Sequence, residues 1–281
     1  MAWTKTYTGE EPQRVNKWLA QSGVCSRREA EALIAQGAVS INGEKVADPG
    51  RKIAPGETLT LAQKGVEKLE ASVTAVLNKP VGYVSAQPEK DQIPAARLIS
   101  SDNLIGQGDS PDRSARLAPA GRLDMDSRGL LILTQDGVLT KSVIGPTSGV
   151  DKEYLVTVNG KITPDKVAKL CHGLKLDGVE LRPAIVTHEE DQLLRFILRE
   201  GRNRQIRRMC ELVGLHVIDL FRIRIGGVKV KDLPEGKWRH ITPAERTSLL
   251  NASKDGPTKS PTKRRRPSAH RYARTRRKKS T

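Results

Sequence analysis

The sequence predicts an α+β protein: a small mixed unit followed by a larger one with a mixed, mostly antiparallel sheet. Two observations carry this. Strand-like apolar segments outnumber those with helical spacing, and they do not alternate with helices as a βαβ chain would. A polar, charged stretch over residues 63–72 reads as a linker between the two units. At 281 residues the chain is long enough for one large or two modest domains with sizeable cores.

Residues 1–13 are polar and unpatterned and read as a loose extension. From Arg14 a helical spacing sets in with Val15, Trp18 and Leu19, ending at Ser22-Gly23. Ser26 and Glu29 form a capping box for a second helix whose apolar face is Ala30, Leu33 and Ile34, with Gly37 at its end. Val39–Ile41 reads as a strand, Asn42-Gly43 as a tight hairpin turn, and Thr58–Leu61 as the strand closing the unit at about residue 65. The second unit, residues 73–250, opens on a strand, Val73–Leu77, and a bend at Pro80 and Gly82. Residues 100–114, rich in Ser, Asp and Gly, read as a mobile loop at a cleft mouth. Strands follow at Leu130–Leu133, Tyr154–Val158, Leu193–Leu198 and Val217–Ile225, with a last short one after Trp238. Helices are expected at Pro164–Cys171, capped by Thr163, at Arg202–Val213 and at Pro243–Leu250. In the Arg202–Val213 helix, Arg207 borders the apolar stripe, whereas Arg204 and Arg208 lie outward.

The chain carries 49 Lys and Arg against 32 Asp and Glu, a net +17. The tail, 251–281, holds 12 of those cations and one acid, so +11 of the +17 lies there. Such a tail is expected to be disordered when free. The balance points to a polyanionic partner, nucleic acid first. No apolar run approaches a membrane span, and the first residues lack a signal-peptide stretch, so the cytoplasm is the expected compartment and no membrane partner is expected. Three scattered cysteines, Cys25, Cys171 and Cys210, argue against a disulfide framework and a zinc site.

The stretch from Ala118 to Gly137 organises the second unit. Arg122-Leu123-Asp124 stands on a loop with Pro119 and Gly121, a small turn spans Ser127–Gly129, an apolar run follows, and Asp136-Gly137 reads as the closing turn. A carboxylate on such a loop is rigidly supported and open to a cleft, although Asp124 as a plain turn cap fits the spacing too. Gly121-Arg122-Leu123-Asp124 with Ser127-x-Gly129-Leu130-Leu131 resembles the signature of the RsuA/RluB/RluE/RluF family of ribosomal RNA pseudouridine synthases. Asn78-Lys79-Pro80-x-Gly82, Lys152-Glu153-Tyr154 and Glu200-Gly201-Arg202-Asn203-Arg204-Gln205-Ile206-Arg207-Arg208-Met209 match the same family in the same order. The first unit, with its helix, helix, strand and Asn-Gly turn, is similar to the S4 RNA-binding domain. Within the family, Ser22–Ala30, Lys152–Val158 and the basic tail look most like its RluF branch, with RluB next.

The resemblance implies an S4 domain followed by a pseudouridine synthase domain with a long bent sheet and a catalytic cleft. It implies isomerisation of a uridine in large-subunit ribosomal RNA, after the base is flipped from its stack. A tRNA anticodon uridine is the alternative substrate, and a non-catalytic S4-type assembly factor the alternative class. The reaction oxidises nothing, so no cofactor or metal is expected, and a monomer is expected. Asp-x-Asp at Asp124 and Asp126 would suit a metal, but no further ligands cluster with it. By resemblance Asp124 is the nucleophile or electrostatic stabiliser, Arg207 its ion-pair partner and Tyr154 the ring that packs on uracil and is a candidate for deprotonation. Leu198 is the candidate for the other face of the base. Arg122 would hold the flipped-out state, and Lys79, Arg204 and Arg208 are further substrate contacts. Arg14, Lys17, Arg27, Arg28 and Arg51 are candidate phosphate contacts of the S4 unit, though a solvated basic helix face has the same composition.

Overall fold

The computed structural model describes residues 1–252 except 87, 90, 113 and 114. The tail expectation beyond residue 252 lies outside the described residues.

The first unit is a four-stranded antiparallel sheet with two helices against it. Its elements are β1 (Trp3–Thr6), α1 (Val15–Gln21), α2 (Arg27–Ala35), β2 (Val39–Ile41), β3 (Glu44–Lys45) and β4 (Thr58–Leu61), in sheet order β1-β4-β2-β3. Its core runs from Tyr7 and Val15 to Leu59 and Leu61. The capping box at Ser26 is formed: Ser26 Oγ accepts from Glu29 N and Glu29 accepts from Ser26 N. Asn42 and Gly43 both take positive φ, as a two-residue hairpin requires.

Two expectations fail here. Residues 1–13 are not a loose extension, because β1 pairs with β4 from Trp3↔Leu61 to Thr6↔Thr58. Trp3 and Tyr7 anchor it by packing their rings on Trp18 at centroid distances of 6.0 and 5.7 Å, which outweighs the polar residues between them. The linker is a helix, α3 (Gln63–Glu70), whose Val66 and Leu69 pack on the same core.

The second unit is built on β5 (Thr74–Lys79), β6 (Arg128–Thr134), β7 (Lys152–Asn159), β8 (Ile185–Glu190), β9 (Leu193–Leu198), β10 (His216–Ile225) and β11 (Trp238–His240). Their order is β8-β9-β7-β10-β6-β5-β11. Every one of these pairings is antiparallel except β6 with β10, so the sheet is mixed and mostly antiparallel. Helices cover both faces, which is why β5 and β6 read as continuous apolar runs rather than alternating ones. One face, with Leu77, Val156 and Phe196, packs Met209 and Cys210 of α6 (Gln205–Leu212) and Leu170 of α5 (Pro164–Cys171). The other, with Val76, Ile132 and Phe221, packs Leu139 and Val143 of α4 (Gly137–Ile144) and Leu249 of α7 (Pro243–Ala252).

Asp136-Gly137 is therefore not a simple turn. The Asp136 carboxylate caps α4, accepting from Val138 N and Leu139 N at 2.9 Å. The same helix start meets the first unit, where Gly137 N donates to Glu29 Oε1 at 3.3 Å. The described part of the 100–114 stretch, residues 100–112, is not at a cleft mouth. Trp238 is fully buried on edge strand β11, and its indole N–H needs an acceptor, which it finds in Ser100 O at 2.8 Å. Ile105 N donates to Trp238 O, and Asp109 O lies 3.0 Å from the His240 ring, so the stretch covers the sheet edge.

Candidate active site

The Asp124 loop is held from every side. Residues Ala118-Pro119 pair back onto the end of β6, and Ala120 N donates to Ile132 O. Ser85 Oγ donates to Leu123 O at 2.6 Å and accepts from Leu123 N at 2.9 Å. Gly82 N donates to Met125 O, and Ser127 N closes a turn on Asp124 O. From beneath, Arg222 of β10 donates to Gly121 O, Arg122 O and Leu130 O at 3.0, 3.1 and 2.7 Å. Gly129 permits this arrangement: its φ is +108°, and a Cβ there would lie 2.3 Å from Arg222 O across the parallel β6–β10 pairing. The backbone around Asp124 is fixed, while its side chain keeps 36% of its exposure.

Asp124 opens into a cleft of about 640 Å³. Arg122, Tyr154, Leu198 and Arg204 line it together with Asp124, as do Lys152, Arg182, Arg199, Arg202, Arg207 and Arg222. Tyr154 and Leu198 are buried in its wall on neighbouring strands. A register shift between Glu153 and Tyr154 in the β7–β10 pairing re-aims the ring locally. Glu153 is clamped between Arg195 and Arg224 of the flanking strands. Burial alone would raise its carboxyl, but the hydrogen bonds and charges of Arg224 and Arg195 outweigh that and hold it below the usual range.

The arginines of the Glu200–Met209 motif are arranged otherwise than the helical wheel predicts. The helix begins only at Gln205, and Arg204 caps it in the left-handed region with φ 48° and ψ 33°. That conformation turns Arg204 from the outer face toward the cleft. Its guanidinium stands 3.7 Å from Asp124 Oδ2 and 3.0 Å from Asp126 Oδ2. Arg207 is buried, as its border position suggests, but the expected ion pair with Asp124 is not made. Its guanidinium pairs with Asp126 Oδ1 at 3.2 Å and donates to Asp126 O, Ser127 Oγ and Val217 O. Burial would raise the Asp126 carboxyl; the hydrogen bond from Arg204 and the charges of Arg207 and Arg204 hold it below its usual range. Asp126 is thus the anchor of both guanidinium groups.

Two expected substrate contacts fall elsewhere. Lys79 is fully buried and donates to Pro80 O and Tyr83 O at 2.8 Å, fixing the bend that supports Met125. Burial, with Arg222 adding to it, pushes its ammonium down to about 8. Arg208 lies outward and pairs with exposed Asp177 at 2.6 Å, outside the cleft lining. In the first unit Arg14, Lys17, Arg27 and Arg28 are exposed, while Arg51 pairs with Glu57 at 3.1 Å. Arg222 was missed by sequence reasoning. Its signal was a cation inside the run Leu220-Phe221-Arg222-Ile223, in a strand expected to be covered on both faces.

Comparison with known proteins gives the family of both units. Residues 73–212 match the RNA pseudouridylate synthase family model and residues 13–59 the S4 domain model. The chain is 38% identical over 239 residues to a dual-specificity RNA pseudouridine synthase RluF from Salmonella typhi, covering 84% of this chain and 78% of that one. The chain belongs to the RNA pseudouridine synthase family. It is thus an isomerase with an S4 domain at its N-terminal side. Another family member, ribosomal large subunit pseudouridine synthase B of Bacillus subtilis, is 33% identical over 83% of this chain and 93% of its own. A crystal structure of a pseudouridylate synthase aligns with a TM-score of 0.60 and 29% identity, covering 84% of this chain and 99% of that one. Among the described residues no helix is long and apolar enough to cross a membrane.

Proposed function

We propose that this synthase converts a uridine of large-subunit ribosomal RNA to pseudouridine, with Asp124 as the group at the sugar. The carrying observation is one carboxylate, fixed through its backbone and open to a cleft walled by Tyr154 and Leu198 and rimmed by guanidinium groups. A flipped uracil fits between an aromatic ring and an aliphatic side chain, since every base offers a π-face. Arg122, Arg182, Arg199 and Arg202 at the rim suit the phosphates on either side. Asp124 stabilises or bonds the sugar carbon as the N-glycosidic bond breaks, with the Arg204 guanidinium 3.7 Å from its carboxylate. Tyr154 holds the detached base in register for the new bond to carbon. Exposed Arg14, Lys17, Arg27 and Arg28 of the S4 unit grip the RNA backbone outside the cleft. The same reading takes the enzyme to act as a monomer in the cytoplasm.

The substrate assignment rests on the relative named for the ribosomal large subunit. The relative named as dual-specificity favours a second RNA target, and a tRNA anticodon uridine is the second reading. Mapping pseudouridine in ribosomal and transfer RNA from cells with and without this protein tests both. A site lost from large-subunit RNA and restored by the purified enzyme is expected. Losses confined to tRNA, or no loss anywhere, would refute the ribosomal assignment.

A further inference from the structure

The cleft floor holds two cations that the chemistry at Asp124 and Tyr154 leaves without a role. Arg222 is 1% exposed and Lys152 is 6% exposed, yet both line the cleft. Each is hydrogen-bonded to backbone carbonyls. Arg222 ties the Gly121–Arg122 wall, and Lys152 donates to Val143 O and Val150 O at 3.2 and 3.1 Å, tying the opposite wall. Among the described residues neither makes an ion pair, and the nearby carboxylate of Asp124 already has Arg204 beside it. Burial, and then the charge of Arg222, push the Lys152 ammonium down to about 8, and the smaller opposing pull of Asp151, which makes no ion pair with it, does not offset them.

Buried like charges without a carboxylate are costly, and neutral side chains could hold a loop by hydrogen bonds at lower cost. Such an arrangement is explained where negative charge arrives in the site. Phosphates stay solvated at the rim, where exposed guanidinium groups already meet them; only the base reaches the floor.

We infer that Arg222 and Lys152 form a cationic floor that stabilises the negative charge gathering on uracil as its glycosidic bond breaks. This rests on the reading of Asp124 as the group at the sugar. In that step the C1′–N1 bond breaks and its electron pair stays on the base, spread over N1 and the two carbonyl oxygens. The base turns, C5 bonds to C1′, the C5 proton is released to water and N1 takes one from water, so composition is unchanged. A cationic floor lowers the energy of the separated base without touching the sugar. Arg222 and Lys152 are positioning residues for the walls and a charge source for the leaving base.

The test varies the leaving base. Fluorine at C5 makes uracil a more acidic, better leaving anion that depends less on outside charge. The full-length wild type and Lys152→Met are compared at saturating enzyme, in single turnover, on one RNA carrying uridine or 5-fluorouridine at the target position. The readout is loss of the ordinary nucleoside from nuclease digests. Lys152→Met is expected to slow the uridine RNA by about 10- to 100-fold, to slow the 5-fluorouridine RNA clearly less, and to leave RNA affinity within a few-fold. Its melting temperature should be equal or higher, because a buried unpaired charge is gone. If the Met variant does not fold, Lys152→Gln, which keeps donors for the wall carbonyls but carries no charge, gives the same comparison. Equal slowing on both RNAs would reduce the floor to wall support and overturn the inference. Loss of RNA affinity instead would assign it to phosphate, also overturning it. Wild-type enzyme that leaves uridine intact, indistinguishable from Asp124→Asn, would instead sink the underlying reading.

Discussion

The S4 unit and the catalytic cleft are both rich in cations but use them in opposite ways. Arg14, Lys17, Arg27 and Arg28 stand in water on short helices or beside them. Arg207, Arg222, Lys152 and Lys79 are buried and bonded to named carbonyls. Solvated cations attract a polyanion over a Debye length and tolerate any register. Buried ones hold backbone to a fraction of an ångström and act on charge that appears only inside the site. What surrounds the head group, more than the residue type, separates grip from chemistry.

The comparison breaks most visibly at Asp124. Asp124→Asn should lower turnover by about 10⁴-fold or more while RNA affinity stays within a few-fold. Single-turnover rates and filter binding check this; comparable rates would leave the cleft without its proposed nucleophile. Next comes the contrast between two neighbouring arginines of one helix. Arg207→Met should lower turnover by about 10²-fold, because it releases the Asp126–Ser127 turn beside Asp124. Arg208→Met, which loses only a surface pair with Asp177, should stay within about two-fold. Equal losses would mean that burial is not the deciding variable.

On the S4 side, Arg27→Gln with Arg28→Gln should leave the saturated rate unchanged and weaken binding. On single-stranded RNA, the slope of log K against log salt should become shallower by about 0.7 for each phosphate the variant no longer neutralises. An unchanged slope would make these residues a solvated face and nothing more. Ser26→Ala removes the capping box and should destabilise the protein by about 1 kcal/mol, read by calorimetry. The smallest expected effect is at Asp126. Its carboxyl is held below the usual range, so its contribution is complete above the unfolded value of about 3.9 and is lost as pH falls further. Asp126→Asn should therefore melt below the wild type at neutral pH, and the gap should narrow under about pH 3.9. A gap that held constant to about pH 2 would remove charge from the account of this pair.

Much of the architecture was legible because local chemistry and packing agree. Ser26 with Glu29, Asn42-Gly43 and Thr163-Pro164 each state their own structure, and the structure forms all three. Where sequence reasoning failed, partners far along the chain decide. Trp3 is anchored by Trp18 and Leu61, and the Ser100 region by Trp238. In the site, spacing pointed to the residues but not to their pairing. The wheel brought Arg207 inward correctly. It could not show Arg204 entering the left-handed region and reaching Asp124, because a wheel assumes that the helix has already begun. Lys79 was expected at the substrate as part of the Asn78–Gly82 motif; it is instead bonded to two carbonyls of its own bend.

The hold of Arg222 on the Gly121–Arg122 backbone has a consequence for the order in which the molecule becomes competent during synthesis. The residue that secures the loop leaves the ribosome about a hundred positions after the loop itself. The parallel partner of β6 arrives with it, and β11 later still. The core of the first unit needs little beyond Leu61. Long-range pairing of this kind is slow to form and closes last. A nascent chain that has not yet reached β10 thus carries the core of the first unit without the residue that secures the Asp124 loop. The first unit is complete before that loop is, and the delay is written into the strand order.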